Sequence, residues 1–124
     1  MANKILIVDD DEGILNLLEK KLVSERYQVF KSICAQDAIA KAKLYLPDLI
    51  LMDIMLPDLD GPEAIIVLEQ DPLTRHIPVI FLSGIITKDI TGNTTIKVSG
   101  REYPAIPKPV NIKELLNEIA NILQ

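Results

Sequence analysis

The chain has 124 residues, 48% hydrophobic and 25% charged, a composition ordinary for one soluble globular domain spanning 1–124. Its net charge of −5 argues against direct nucleic-acid binding, which requires clustered Lys and Arg. No apolar run approaches the ~20 residues needed for membrane insertion, and the amino terminus lacks the pattern of a secretory signal. The only cysteine, Cys34, cannot form an internal disulfide, so we expect a reducing, cytoplasmic location.

The first half of the chain alternates predicted strands with predicted helices. A continuously apolar run at 4–9 predicts a strand that is buried on both faces. An apolar face from Ile14 to Leu22 predicts the first helix, and a weaker strand fits at 28–33. A second helical face runs from Ala38 to Leu46 and is ended by the proline that follows.

The second half continues the same alternation. Buried strands are predicted at 48–53 and 78–83, again because both runs are continuously apolar. Pro62 suits the first turn of a third helix that runs to about Gln70. Asn111 opens a last helix, with the spacing of a capping box. Strands that alternate with helices predict an α/β fold, in which a parallel sheet is covered by helices on both faces as a doubly wound sandwich.

Chemically active side chains fall where the predicted strands end. In such sheets a site lies beyond the carboxyl ends of the strands, and the candidates there are Asp9, Asp10, Asp53, Ser83 and Lys108. Carboxylates held a few ångströms apart repel by roughly 4 kcal/mol per pair at an effective dielectric near 20, and a hard cation relieves that repulsion. An all-oxygen ligand set favours Mg²⁺ or Mn²⁺. With a hydroxyl and an ammonium added, the site suits a phosphoryl group, and one carboxylate could act as nucleophile.

Four segments, in order and over nearly the whole chain, resemble a response-regulator receiver domain of two-component signalling, similar to the chemotaxis regulators. The matching segments are Ile7-Val8-Asp9-Asp10, Met52 to Gly61, Leu82-Ser83-Gly84 and Lys108-Pro109-Val110. The resemblance implies a flavodoxin-like three-layer sandwich whose five parallel strands have the order 2-1-3-4-5. That order would place the strand ends at Asp10 and Asp53 side by side.

The resemblance also implies the function and the metal ligands. Asp53 would be the phosphorylated residue, receiving phosphate from a sensor histidine kinase or a histidine phosphotransfer protein. Asp10 would bind Mg²⁺ directly together with Asp53, the backbone carbonyl of Met55 would be a further ligand, and Asp9 would act through water. The domain would catalyse only its own phosphorylation and dephosphorylation and would not be a turnover enzyme. An unidentified output domain or downstream protein would read the signal, and homodimerisation stays open.

Two further residues are assigned to the phosphoryl group by resemblance. Ser83 would hydrogen-bond to it and Lys108 would pair with it, and a cis peptide bond before Pro109 would aim the lysine. Asp11 has no such role in the family, and we expect it at the start of the first helix.

The segment 84–107 departs from the family pattern, in which a fourth helix is usual. Thr95 to Val98 alternates like a strand, and the Ser99-Gly100 pair could turn it into a second strand from Arg101 to Ile106. We therefore expect an extended or hairpin segment that replaces or shortens the fourth helix. The aromatic residue that many receivers carry three positions before the lysine is Ala105 here. Tyr103 would face the same side of its strand and is a candidate substitute switch residue.

Two alternative functions stay open at this point. A pseudo-receiver would keep the fold as an interaction module and signal without phosphate, which the unusual 84–107 segment favours slightly. An aspartate-nucleophile phosphatase of the haloacid-dehalogenase type loosely fits Asp9-x-Asp11, although the usual Gly-Thr is absent and Asp53 would have no role. A purely structural interpretation is that Asp9 and Asp10 cap a helix and that Lys108 is a solvated loop lysine.

Overall fold

The architecture was determined from a computed structural model that describes residues 3–84 and 95–124. In chain order the elements are β1 (Lys4–Val8), α1 (Glu12–Ser24), β2 (Gln28–Ser32), α2 (Ala35–Tyr45), β3 (Leu49–Asp53), α3 (Gly61–Glu69), β4 (Val79–Ser83), β5 (Thr95–Val98), β6 (Arg101–Pro107) and α4 (Ile112–Leu123). From β1 to β4 strands and helices alternate, as predicted. No helix in the described part of the chain is both long enough and apolar enough to cross a membrane.

The sheet has the strand order β2-β1-β3-β4-β6-β5. Its first five members are parallel, and counted among themselves they have the predicted order 2-1-3-4-5. The predicted sheet is therefore confirmed, with one addition: β5 joins the edge as a sixth strand, antiparallel to β6. Because β1 and β3 are neighbours, with Val8 opposite Met52, the residues that follow these two strands lie side by side.

The central strands are buried on both faces, which explains their continuous apolar runs. Leu6 and Val8 of β1 belong to a core cluster with the apolar faces of α2 and α3. Ile5 and Ile7 point the other way, into a cluster with α1 and α4. Burying such a side chain stabilises the fold by roughly 1.5–3 kcal/mol, so helices are required on both sides of the sheet. The result is the three-layer sandwich that the sequence predicts.

Side chains at the helix starts satisfy backbone N–H groups that the first turn leaves without partners. Asp11 caps α1 by accepting the N–H of Gly13 at 2.9 Å, as expected for a residue at the start of that helix. Asn111 caps α4 through the N–H of Glu114 at 3.0 Å, one of the two bonds of the predicted capping box. The helices at this edge of the sheet thus begin at defined residues.

The predicted hairpin is present between Thr95 and Pro107. Both residues of its turn have left-handed backbone conformations, Ser99 with φ 51° and Gly100 with φ 81°, as a tight two-residue hairpin turn requires. A proline within β6, Pro104, precedes the first residue that pairs with β4, Ala105, so its missing N–H falls at the end of that ladder. The remainder of the expected fourth-helix region, 85–94, lies outside the described residues.

Candidate functional site

Three carboxylates meet at the carboxyl edge of the sheet. Asp9 follows β1 directly and is fully buried, while Asp53 is the last residue of β3 and is 6% exposed. Asp10 is exposed beside them, and one carboxylate oxygen from each of the three lies within 4.8 Å of the other two. The parallel pairing of β1 with β3 creates this cluster, because it brings both strand ends to the same place.

Lys108 provides a cation between the two buried carboxylates. Its Nζ lies 2.7 Å from Oδ2 of Asp9 and 3.1 Å from Oδ2 of Asp53. The residue follows β6, where its backbone N–H donates to the Ser83 carbonyl at 2.8 Å, and the peptide bond to Pro109 is cis, as the resemblance implied. An ammonium group in this position offsets the repulsion between the two carboxylates. It also compensates for the cost of removing both carboxylates from water.

The pKa shifts at the site reflect burial and this ion pairing. Burial raises the pKa of Asp53, and the charge of Asp9 raises it further, against the opposing effect of Lys108. Burial acts to lower the pKa of Lys108, but its bonds to the two carboxylates outweigh burial and raise that pKa. The ionised form of Asp53 is therefore at an energetic disadvantage that an additional cation would relieve.

The donor set fits a hard divalent ion such as Mg²⁺, because every candidate ligand atom is an oxygen. Both oxygens of Asp9 are already engaged: Oδ1 accepts the Asp11 N–H at 2.9 Å, and Oδ2 faces Lys108. Asp53 is held less closely, with Oδ1 3.4 Å from the Met55 nitrogen and Oδ2 3.1 Å from Lys108 Nζ, and Asp10 is exposed. These two carboxylates are therefore more accessible to an ion than the fully buried Asp9. The individual ligand roles of these residues remain a prediction.

Ser83 and Tyr103 occupy very different positions relative to the carboxylates. Ser83 is the buried last residue of β4, one position beyond Leu82, which is the residue paired with Asp53. Tyr103 does share a core cluster with Ala105, as the strand alternation predicts. However, it lies four residues before the partner of Ser83 in β6, which corresponds to about 13 Å along the strand.

The Tyr103 hydroxyl donates to Oε2 of Glu69 at the end of α3. Its ring contacts Phe81 edge to face, with ring centroids 5.8 Å apart. Burial, and then the bond to Glu69, raise the pKa of Tyr103 to about 12. The side chain therefore joins the hairpin to α3, and a switch role for Tyr103 remains a prediction.

Gly61 is a site residue that the sequence analysis names only as the last residue of the segment Met52 to Gly61. A Cβ at this position would lie 2.5 Å from the backbone oxygen of Asp53 and 3.1 Å from the Cα of Ile54. The Gly61 N–H also donates to the Ile54 carbonyl at 2.7 Å, which closes the loop between β3 and α3. A glycine is required here because α3 begins directly against the backbone of Asp53.

Asp58 is a second residue whose role sequence reasoning missed. Its two carboxylate oxygens accept the N–H groups of Ala35 and Gln36, each at 2.8 Å, at the start of α2. The bond from Gln36, followed by that from Ala35, lowers the pKa of Asp58 to about 2. No sequence signal pairs these residues, because they are 22 and 23 positions apart.

Comparison with known proteins places the chain in a family. Residues 5–120 match the family model described as the response regulator receiver domain. The chain is 36% identical over 124 residues to the response regulator ArlR of Staphylococcus aureus, covering 98% of this chain and 52% of that protein. It is 44% identical over 85 residues to the response regulator PleD of Caulobacter vibrioides, covering 68% of this chain and 19% of that protein. The chain thus spans about half, or less, of the length of these relatives.

Solved structures show the same architecture. A CheY-like response regulator receiver domain protein from Methanospirillum hungatei superposes with a TM-score of 0.79 at 29% identity, covering 98% of this chain and 93% of that one. The receiver domain of the sensor histidine kinase PA1611 from Pseudomonas aeruginosa, described with a magnesium ion coordinated in its active site cleft, superposes with a TM-score of 0.83 at 24% identity over the full length of both chains. By its family match, its curated relatives and its fold, the chain belongs to the response regulator receiver domain family.

Proposed function

We propose that the domain is a Mg²⁺-dependent phospho-acceptor switch in which Asp53 receives a phosphoryl group from a sensor histidine kinase or a histidine phosphotransfer protein. The observation that carries this proposal is the sharing of the Lys108 ammonium between Asp9 and Asp53, with Asp10 beside them. If Asp9 only capped a helix and Lys108 were a solvated loop residue, the Lys108 ammonium would have no reason to lie between two buried carboxylates.

The side chains suit in-line transfer to Asp53. A carboxylate oxygen of Asp53 attacks phosphorus, an O–P bond forms, and the bond from phosphorus to the donor's histidine nitrogen breaks. Asp10, Asp53 and the Met55 carbonyl would hold the ion, with Asp9 acting through water. Bound Mg²⁺ supplies neutralisation of charge on the phosphoryl oxygens. Lys108 then pairs with the phosphoryl group, and Ser83 donates a hydrogen bond to it.

We place this switch in the cytoplasm, upstream of an output domain or partner protein. The domain acts only on its own aspartate and is not a turnover enzyme. The net charge of −5 supports an output that does not involve direct nucleic-acid contact by this domain. The greater length of the curated relatives supports the presence of an output domain in proteins of this kind.

The deciding experiment is incubation of the protein with Mg²⁺ and a small phosphodonor such as acetyl phosphate, followed by intact-mass measurement. We expect a mass gain of one phosphoryl group, which disappears in Asp53→Asn and when Mg²⁺ is chelated. Asp48→Asn is a matched control, since Asp48 is an exposed carboxylate at the opposite edge of the sheet, bonded to the Lys4 N–H at 2.7 Å.

Two outcomes would contradict the proposal. Sustained release of phosphate from many small phosphoesters, retained in Asp53→Asn, would indicate an aspartate-nucleophile phosphatase that uses Asp9. The absence of any response to Mg²⁺, the phosphodonor or beryllofluoride would indicate a pseudo-receiver.

A further inference from the structure

The loop between β3 and α3, residues 54–60, is here called the acceptor loop because it follows Asp53 directly. It is fixed at its base by the hydrogen bond from the Gly61 N–H to the Ile54 carbonyl at 2.7 Å. Near its far end, the carboxylate of Asp58 reaches across to α2 and accepts two N–H groups at 2.8 Å each. Between these anchors lies Met55, whose N–H is 3.4 Å from Oδ1 of Asp53.

The start of α2 lacks a cap of its own. Its N-cap residue is Cys34, which has extended backbone angles but makes no side-chain capping bond within the described residues. A helix start normally takes its cap from Ser, Thr, Asp or Asn in that position. Asp58 replaces this local cap with one supplied by the acceptor loop. The charge on its carboxylate suits the positive end of the helix dipole, consistent with the lowered pKa of about 2.

Because the cap of α2 comes from the acceptor loop, the same two hydrogen bonds that stabilise the helix start also fix the position of the loop. α2 is held on the sheet by its buried alanines, Ala35, Ala38 and Ala42, so its first N–H groups are fixed points. Two separate oxygens bonded to two successive N–H groups define both the place and the orientation of the Asp58 carboxylate. The intervening backbone, including the Met55 carbonyl, is thereby restricted to a narrow range of positions relative to Asp53.

We propose that Asp58 is a positioning residue, which uses the start of α2 as a fixed support to hold the acceptor loop in the geometry that binds Mg²⁺ at Asp53. The proposal rests on the proposed function, since it assigns Asp58 to the metal-binding step of that reaction. Asp58 has two roles, capping of α2 and placement of the acceptor loop, and a single substitution of Asp58 would remove both at once.

The test uses a second substitution that restores the cap without restoring the bridge. Asp58→Ala removes both bonds, whereas Cys34→Ser in the Asp58→Ala background gives α2 a standard N-cap side chain that has no link to the loop. Asp48→Ala is the matched control, because Asp48 is also exposed and also accepts a backbone N–H from another element. For all four proteins, Mg²⁺ affinity is measured by calorimetry, stability by urea unfolding, and amide hydrogen exchange of residues 54–60 without metal.

We expect Asp58→Ala to weaken Mg²⁺ binding about tenfold, as loss of an outer-shell partner commonly does. In the double variant stability should return, while Mg²⁺ binding stays weak and exchange in the acceptor loop stays fast. Asp48→Ala should lose stability with unchanged Mg²⁺ affinity. If Cys34→Ser restores no stability, weak Mg²⁺ binding in Asp58→Ala but not in Asp48→Ala still supports positioning.

The proposal is overturned if Asp58→Ala binds Mg²⁺ like the wild type, or if Cys34→Ser restores stability and Mg²⁺ affinity together. In either case the wild type would still be phosphorylated on Asp53, so the proposed function would stand. A wild-type protein that binds no Mg²⁺ would instead refute the proposed function, and the positioning role with it.

Discussion

Replacement of Gly61 by alanine tests whether the start of α3 is in contact with the backbone of the phospho-acceptor residue. The added Cβ would lie 2.5 Å from the Asp53 carbonyl oxygen, about 0.9 Å closer than the 3.4 Å at which ordinary contact begins. It would also lie 3.1 Å from the Cα of Ile54 and from Cγ of Met52. Two of these three neighbours are backbone atoms, so a rotamer change cannot relieve the clash, and either α3 or the end of β3 must move.

The expected cost follows from that displacement. Overpacking of a buried contact costs about 1–3 kcal/mol, and the clash with rigid backbone places Gly61→Ala at the upper end of that range. Alanine has the higher helix propensity, by up to about 1 kcal/mol, but Gly61 is the first residue of α3, where little of that gain is realised. Movement of Asp53 by something near 1 Å should also slow its phosphorylation, by roughly 100-fold.

Urea unfolding and the rate of mass gain with acetyl phosphate measure the two effects. Gly13→Ala is the control, since Gly13 also lies at the start of a helix, and its added Cβ meets, among the described residues, only a side-chain oxygen of Asp11 at 3.1 Å. We expect Gly13→Ala to change stability by less than about 1 kcal/mol. A Gly61→Ala protein with wild-type stability and a wild-type phosphorylation rate would refute the close approach of α3 to Asp53.

Two other predictions follow from the ion pair and from the buried phenol. Lys108→Met should lower the free energy of unfolding, measured in urea without metal, by about 3 kcal/mol, because Asp9 and Asp53 lose their cation. Saturating Mg²⁺ should reduce the stability difference between the variant and the wild type. A stability difference that Mg²⁺ leaves unchanged would count against a site shared by Lys108 and the ion. Tyr103→Phe should remove the phenol whose pKa burial raises to about 12, seen in a phenolate absorbance titration as loss of the absorbance change near pH 12. Because the folded-state pKa of Tyr103 is above the ordinary 10.0, its contribution to stability is complete below pH 10 and is lost as the pH rises toward 12. The free energy of unfolding of the variant should therefore fall less steeply with pH in this range than that of the wild type. An unchanged slope of stability against pH would argue against the buried bond to Glu69.

The parts of this protein that sequence reasoning predicted well depend on local pattern. Continuous apolar runs mark strands that are buried on both faces, and a carboxylate directly after such a run must lie at the carboxyl edge of the sheet. Asp9 and Asp53 were identified in this way and Lys108 through the family resemblance, and the three side chains do meet there. The hairpin of β5 and β6 was predicted for a similar reason, since a two-residue turn that favours positive φ carries its own signal.

The sequence by itself therefore determined the alternation of strands and helices, the strand ends that carry the carboxylates, and the identity of the metal-binding candidates. Only the tertiary structure decided that Gly61 touches the Asp53 backbone, that Asp58 caps a helix more than twenty residues away, and that Tyr103 reaches Glu69. The physical reason is that periodicity and turn chemistry act between residues near in the chain. A contact between elements depends instead on how separate helices and strands pack, and no local pattern specifies that.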